Sequence, residues 1–511
     1  MVEVLNTVTG TAAKDGESPS VSRESSGGGE SPRKHSSLYA ARKKIFPKAV
    51  TGRFRRLKWT LAIIFLAIYF ITPWIRWDRG PGLPDQAVLV DLAHRRFYFF
   101  WIEIWPQEFY YVAGLLILAA IALFIATSMF GRAWCGYACW QTVWTDLFML
   151  VDRLVEGDRN AQIRLDKAPW TAEKIIKRAI KFTIWGLIAF ATSFTFILYF
   201  GNAPDVAYWF FTGQAPFVAY STVAIMGTIT YVFAGHMREQ VCIYMCPWPR
   251  IQGSMVDEDT LIVTYNDWRG EPRGSKRDRK KHPEIEYGDC IDCGWCVQVC
   301  PTGIDIRDGQ QLACITCALC IDACNNVMEK IGKPKGLISY SNVKTYNAHV
   351  TGQAVNFTWR SFIRPRTIVY LTLWTLIAAA MFLHLTFRER LQINVVHDRN
   401  PLFVRLASGE IRNGYTVRIL NMDLEPRIFR ISLEGLESGR MSIVGLDKPP
   451  ARSFDVKVDG NKARTLRVYV TADPARLKDA REIFYFRIDA LDKDGKVQES
   501  ARKKAVFETK K

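Results

Sequence analysis

Cys290-Ile-Asp-Cys293-Gly-Trp-Cys296-Val-Gln-Val-Cys300-Pro301, and after a short interval Cys314-Ile-Thr-Cys317-Ala-Leu-Cys320-Ile-Asp-Ala-Cys324, decide how this chain is read. Each run is C-x2-C-x2-C-x3-C, the ligand set of a bacterial two-cluster ferredoxin. Three thiolates spaced by two residues wrap three corners of a cubane, and the fourth cysteine of each run reaches across to the other cluster. Cys290, Cys293, Cys296 and Cys324 are expected to hold one [4Fe-4S] cluster, and Cys314, Cys317, Cys320 and Cys300 the other. A structural zinc site more usually takes separated C-x2-C pairs than two fused runs, so electron transfer is the preferred reading.

Outside this module the 511 residues are rich in apolar side chains, 49% of the whole with 16 tryptophans. Five stretches, near residues 57–74, 110–130, 182–200, 215–235 and 367–387, are each long enough for a membrane helix, which needs about 20 residues to cross the hydrocarbon. They are nearly free of charge and flanked by Trp, Tyr, Arg and Lys, which argues against helices buried in a soluble core. The expected fold is an α-helical polytopic membrane protein carrying a cytoplasmic two-cluster ferredoxin-like module and a C-terminal immunoglobulin-like β-sandwich.

Residues 1–32 are polar and contain Gly27-Gly28-Gly29, so they read as a disordered leader and not as a cleavable signal peptide. Residues 33–235 hold a basic segment and the first four spans, and residues 236–366 an inner region with the cluster runs. The fifth span, 367–387, leads to an outer domain, 388–511. The segment 33–58 carries ten basic side chains and no acid, from Arg33 to Lys58. Beside a membrane helix, that excess fixes the amino terminus in the cytoplasm and favours anionic lipid over nucleic acid as the reason for the net charge of +18. Alternate crossings then put the cluster runs in the cytoplasm, where thiols stay reduced. Beyond Leu391, stretches such as Tyr415–Leu420, Arg427–Ser432, Thr465–Val470 and Ile483–Ile488 read as strands of an antiparallel sandwich without cysteine.

The other four cysteines form two C-x3-C motifs, Cys135 with Cys139 after the second span and Cys242 with Cys246 after the fourth. If a helix continues through each, the paired thiols share one face at about 5 to 6 Å between Cβ atoms. Buried thiols, a further iron–sulfur cluster and a soft-metal copper site assisted by Met245 all remain open from the spacing. His94, His236 and His384 have no second ligand at metal-binding spacing and read as structural. No Rossmann fingerprint or phosphate loop supports nicotinamide, flavin or ATP.

The run Arg238-Glu-Gln-Val-Cys242-Ile-Tyr-Met-Cys246-Pro247, with Asp257-Glu-Asp-Thr-Leu-Ile-Val263, Arg269-Gly-Glu-Pro-Arg273, Trp134-Cys-Gly-Tyr-Ala-Cys139 and Gln141-Thr-Val-Trp-Thr-Asp146, resembles the cytochrome c oxidase accessory family known as CcoG, FixG or RdxA. The likeness runs from about Arg42 to the end. It implies a multi-pass protein of the bacterial inner membrane, with its last domain periplasmic, that reduces Cu(II) to Cu(I) during assembly of cbb3-type cytochrome c oxidase. It also implies the oxidase and its copper-assembly factors as partners, two [4Fe-4S] clusters as cofactors, and Cys135, Cys139, Cys242 and Cys246 as the copper-reactive residues. Trp140 stands where the family pattern has proline, so the backbone after Cys139 lacks that restriction. Two competing functions are a quinol dehydrogenase subunit and a non-enzymatic scaffold that hands copper on.

Overall fold

The computed structural model describes residues 44–80, 83–353, 359–387 and 391–509, apart from positions 424, 461, 478, 493 and 494. The expected leader lies outside the described residues. The chain divides into two units, Met1–Met381 and Phe382–Lys511.

In the first unit, helix α1 (Arg53–Ile71) is followed by α2 (Tyr110–Phe130), the short α3 (Ala133–Tyr137), α4 (Trp140–Glu156), α5 (Arg159–Lys167), α6 (Ala172–Leu198) and α7 (Phe217–Thr230). Then come α8 (Trp248–Met255), α9 (Trp295–Gln298) and α10 (Leu319–Lys330), and α11 (Pro365–Thr386) runs across the boundary between the units. Five helical segments are long and apolar enough to cross a membrane: Arg53–Trp74, Tyr110–Phe130, Ala172–Leu198, Phe217–Met237 and Pro365–Thr386.

Two of these helices begin well before the apolar stretch that announces them. α1 starts at Arg53 because the Asp322 carboxylate accepts the backbone N–H groups of Phe54 at 3.3 Å and Arg55 at 2.8 Å, satisfying donors that every helix start leaves open. Arg55 and Lys58 are buried, each 3.1 Å from Asp146 of α4. Two of the ten basic side chains expected to meet lipid, Arg55 and Lys58, thus serve an internal ion pair instead. α6 starts at Ala172, with Thr171 accepting from Lys174 N–H at 3.3 Å, and carries Lys181 to Glu156 at 2.7 Å.

Ahead of α1 an extended strap binds the cluster region to the helices. Lys48 N–H donates to Gln298 O at 2.8 Å, its ammonium sits 3.5 Å over the Trp295 ring, and Ala49 N–H donates to Asp158 at 2.9 Å. The stretch between α1 and α2 folds into a three-stranded antiparallel sheet of β1 (Val88–Asp91), β2 (Arg96–Phe99) and β3 (Ile102–Ile104). Strands β4 (Ile262–Tyr265) and β5 (Ile338–Ser341) pair antiparallel and bring together the two ends of the segment that carries the cluster runs.

The second unit is a sandwich of two antiparallel sheets. Its strands are β6 (Leu391–His397), β7 (Val404–Arg405), β8 (Ile411–Asn421), β9 (Arg427–Glu434), β10 (Arg440–Ile443), β11 (Ser453–Val458), β12 (Lys462–Ala472), β13 (Arg481–Leu491) and β14 (Val497–Glu508). One sheet has the order β10-β12-β8-β6 with β7 on β8, and the other β11-β9-β13-β14. Alternate side chains, among them Tyr415, Val417, Ile419, Phe429, Phe484 and Phe486, fill the space between them. The four strands expected from sequence all lie within β8, β9, β12 and β13.

Candidate metal centres

The two cysteine runs adopt the same backbone. Asp292 and Gly294 in the first, and Thr316 and Ala318 in the second, take positive φ of 50°, 66°, 54° and 60°. Gly294 and Ala318 are the residues that open α9 and α10. Alternation of right- and left-handed residues turns successive N–H groups inward, the concave arrangement that suits an anionic iron–sulfur cage. Gly294 enters that region freely, whereas Ala318 does so against a steric cost of roughly 1–2 kcal/mol.

Each run wraps a cavity. Cys290, Cys293, Cys296 and Cys324 line one, with Trp295 and Arg307 beside them. Cys300, Cys314, Cys317 and Cys320 line the other, among Ile304 and Ile315. Cys296 touches both, so the two are neighbours. Cys324 lines the cavity of the first run and Cys300 that of the second. Four soft donors around an otherwise apolar hollow fit a [4Fe-4S] cluster.

The cavities differ in their surroundings. At the first, Cys293 is exposed, and Arg307 is held by Asp305 at 2.6 Å and by Asp292. Burial pushes the thiols of Cys296 and Cys324 at the first and of Cys314 at the second up to about 12, and Cys320 at the second well above its ordinary value. At the second, the cations facing the thiols are Arg132 at Cys314 and Lys58 at Cys317.

The C-x3-C motifs are not continuous helices. Cys135 lies in α3, but the chain then turns, and Cys139 is extended at φ −61°, ψ 132° as the residue preceding α4. Cys242 lies in a π-helical turn, Val241–Met245, and Cys246 is extended at φ −80°, ψ 126° before Pro247 and α8. The expectation of one helical face per pair is therefore corrected: each motif is a helical turn, a break, and a new helix. Proline forces the extended geometry at Cys246, while Cys139 reaches it without one, because Trp140 starts α4 and stacks on Trp144 with centroids 3.8 Å apart.

The four thiols nevertheless share one electrostatic neighbourhood. Burial raises the Cys242 thiol to about 12, and Cys139, Cys135 and Cys246 add to the shift. Cys135, buried and also raised, donates to Gln252 Oε1 at 3.0 Å. Arg132 faces Cys135 and Cys242 and donates to Leu312 O. Among the described residues no three His, Cys, Asp or Glu side chains converge closely enough to hold one metal ion. Met245 is half exposed at the edge of the π-helical turn. His94 pairs with Asp91 at 2.7 Å, His236 packs among Phe182, Trp185 and Tyr231, and His384 lies in α11.

Sequence reasoning missed what joins this site to the cluster runs. A Cβ on Gly136 would stand 2.6 Å from Ile315 O and 3.0 Å from Cys317 Cα, so only glycine allows the two loops to lie backbone to backbone. Tyr137 Oη donates to Cys317 O at 3.1 Å, and Cys135, Ile315 and Cys317 belong to one buried cluster. The available signal was the Gly136-Tyr137 pair inside the first motif, a small residue where close approach is needed.

Residues 237–343 match the family described as a 4Fe-4S dicluster domain, residues 112–156 that described as a 4Fe-4S binding domain, and residues 381–510 the Ig-like fold at the C-terminal of FixG. The chain is 50% identical over 470 residues to nitrogen fixation protein FixG of Rhizobium meliloti, covering 88% of this chain and 90% of that protein. It is 54% identical over 438 residues to protein RdxB of Cereibacter sphaeroides (86% and 90%) and 50% identical over 442 residues to protein RdxA of the same organism (86% and 92%). Among solved structures, a FixG-related protein from Vibrio parahaemolyticus matches 24% of this chain and 98% of its own, at 22% identity and a TM-score of 0.19.

Proposed function

The chain belongs to the FixG/RdxA family of membrane iron–sulfur proteins, and from that premise we propose that it passes electrons through two [4Fe-4S] clusters to Cu(II), yielding Cu(I) for assembly of cbb3-type cytochrome c oxidase. In this reading Cys290, Cys293, Cys296 and Cys324 hold the first cluster, and Cys314, Cys317, Cys320 and Cys300 the exit cluster, the one beside the first C-x3-C motif. The clusters and both C-x3-C motifs face the cytoplasm of a bacterial inner membrane, and the β-sandwich faces the periplasm. The oxidase and its copper-assembly factors are the partners.

The observation that carries the reading is the backbone contact of Gly136 with Ile315 and Cys317, which sets the thiols of the first motif directly beside the exit cavity. When bound, a [4Fe-4S] cluster supplies electrons singly, which matches the one-electron step Cu(II) + e⁻ → Cu(I). Cys135, Cys139, Cys242 and Cys246 receive the ion. Thiolates are soft ligands and hold Cu(I) in preference to harder ions, so binding favours the reduced product. Since burial keeps the Cys242 thiol protonated at neutral pH, the arriving ion displaces its proton, and Arg132 steadies the thiolate charge that results. Incubating the purified full-length protein, its clusters chemically reduced, with Cu(II) and a Cu(I)-specific chelator should form the Cu(I) complex in proportion to cluster oxidation. Absence of that complex would overturn the proposal.

A second reading takes the four C-x3-C thiols as ligands of a third [4Fe-4S] cluster. It is favoured by the 4Fe-4S match over 112–156, which contains Cys135 and Cys139. Replacing Cys242 and Cys246 by Ala separates the two: a loss of iron and of cluster absorbance supports the third cluster, and an unchanged spectrum with lost copper binding removes it.

A further inference from the structure

A cavity of about 340 Å³ opens between α4, α6 and the end of the fourth apolar helix, with Asp152, Glu156, Lys181, Trp185, His236 and Arg238 in its wall. Its size is that of a small-ligand site. The copper chemistry above makes no use of it.

Its charges are already matched to one another. Arg238 is 2.5 Å from Asp152 Oδ2, Lys181 is 2.7 Å from Glu156, and Arg178 is 3.1 Å from Glu156. A phosphate or lipid headgroup would therefore displace existing ion pairs and meet carboxylates. One acceptor of the wall is still open: Asp152 is buried, and its Oδ1 has no hydrogen-bond partner among the described residues. The remaining wall is aromatic, with the Phe182 and Trp185 rings 5.8 and 5.6 Å from the His236 ring. A flat aromatic molecule bearing a hydroxyl satisfies both features, and the position at the end of two apolar helices selects one soluble in lipid.

The backbone around the cavity is unusual. Tyr231–Met237 is π-helical, a wide turn found most often at functional sites. The turn ends at Arg238 with φ 44°, a conformation that a non-glycine residue adopts at a cost. Gly235 lets the turn press on the Trp185 ring, which a Cβ would meet at 2.8 Å. Arg238 and Glu239 also wall a second, smaller cleft that contains Cys242, Thr302 and Ile315. The cavity thus adjoins both the second C-x3-C motif and the loop of the exit cluster.

We propose that this cavity binds the ring of a lipophilic hydroquinone and that the hydroquinone is the electron donor to the clusters. The inference rests on the electron-transfer reading above and names its source of electrons. One hydroquinone loses the hydrogens of its two O–H groups and becomes one quinone, giving two electrons and two protons. When bound, the two [4Fe-4S] clusters held by Cys290, Cys293, Cys296, Cys324 and by Cys300, Cys314, Cys317, Cys320 would be the oxidants, each taking one electron. The protons go to the carboxylates of the wall, Asp152 first, and onward to water.

The test uses the full-length protein with oxidised clusters in detergent. A short-tailed naphthoquinone is titrated calorimetrically, and the matching naphthoquinol is mixed while cluster absorbance is followed. Saturable binding and bleaching of the clusters are expected, with affinity reduced at least tenfold in Asp152→Asn and largely recovered in Asp152→Glu. Cluster absorbance before mixing checks that each variant is folded. No binding, equal binding by Asp152→Asn, or displacement of the naphthoquinone by anionic phospholipid would overturn the proposal. If the naphthoquinol fails to bleach clusters that still reduce Cu(II) after chemical reduction, this inference alone falls. If it bleaches them and no Cu(I) forms, the copper reading falls and the donor site stands.

Discussion

Gly136 is the residue on which the link between the two sites depends. Replacing it with Val places a side chain against Ile315 O and Cys317, so the loops must separate. Electron transfer to copper should then slow on the order of tenfold or more, measured as Cu(I) formed per reduced cluster, with the absorbance of both clusters retained. The ion pair behind the exit cavity offers a second residue-scale test. Lys58 and Arg55 share Asp146, and all three are buried. Lys58→Met should destabilise the protein by about 3–5 kcal/mol, because it leaves a buried carboxylate short of a partner. Adding Asp146→Leu to that variant should deepen the loss, because Arg55 is then buried without its counter-charge, as seen in thermal melts of the detergent-solubilised protein.

At the scale of elements, the cluster loops depend on residues of left-handed conformation opening α9 and α10. Ala318, at φ 60°, should accept glycine with cluster content unchanged, whereas a β-branched valine should lower the iron retained at the second run; iron content per protein reads both. The cysteine spacings and apolar stretches were enough to anticipate the 4Fe-4S domain and the five long helices. The starts of α1 and α6 were not legible, because what stabilises Arg53–Lys58 and Ala172–Lys181 as helix is Asp322, Asp146 and Glu156, carboxylates that no local pattern connects to them. The C-x3-C motifs misled for a related reason. Their i, i+4 spacing suits one helix, but packing of Trp140 on Trp144 and the presence of Pro247 start a new helix at each second cysteine. β1 to β3 were missed because strands of three or four residues carry too few alternations to register.

For the whole molecule, the separation into two units has a direct consequence. The second unit has its own core and contains no cysteine. Residues 391–509 alone should fold and melt cooperatively at a temperature unaffected by iron chelators, while the full chain loses its first transition when iron is removed; calorimetry distinguishes the two. The central claim is that electrons leave the exit cluster through the C-x3-C thiols, and rapid mixing of cluster-reduced full-length protein with Cu(II) tests it most directly. We predict fast recovery of cluster absorbance with matching Cu(I) in the native protein, and clusters that stay reduced when Cys242 and Cys246 are both replaced by Ala. Recovery at the native rate in that double variant would contradict the account.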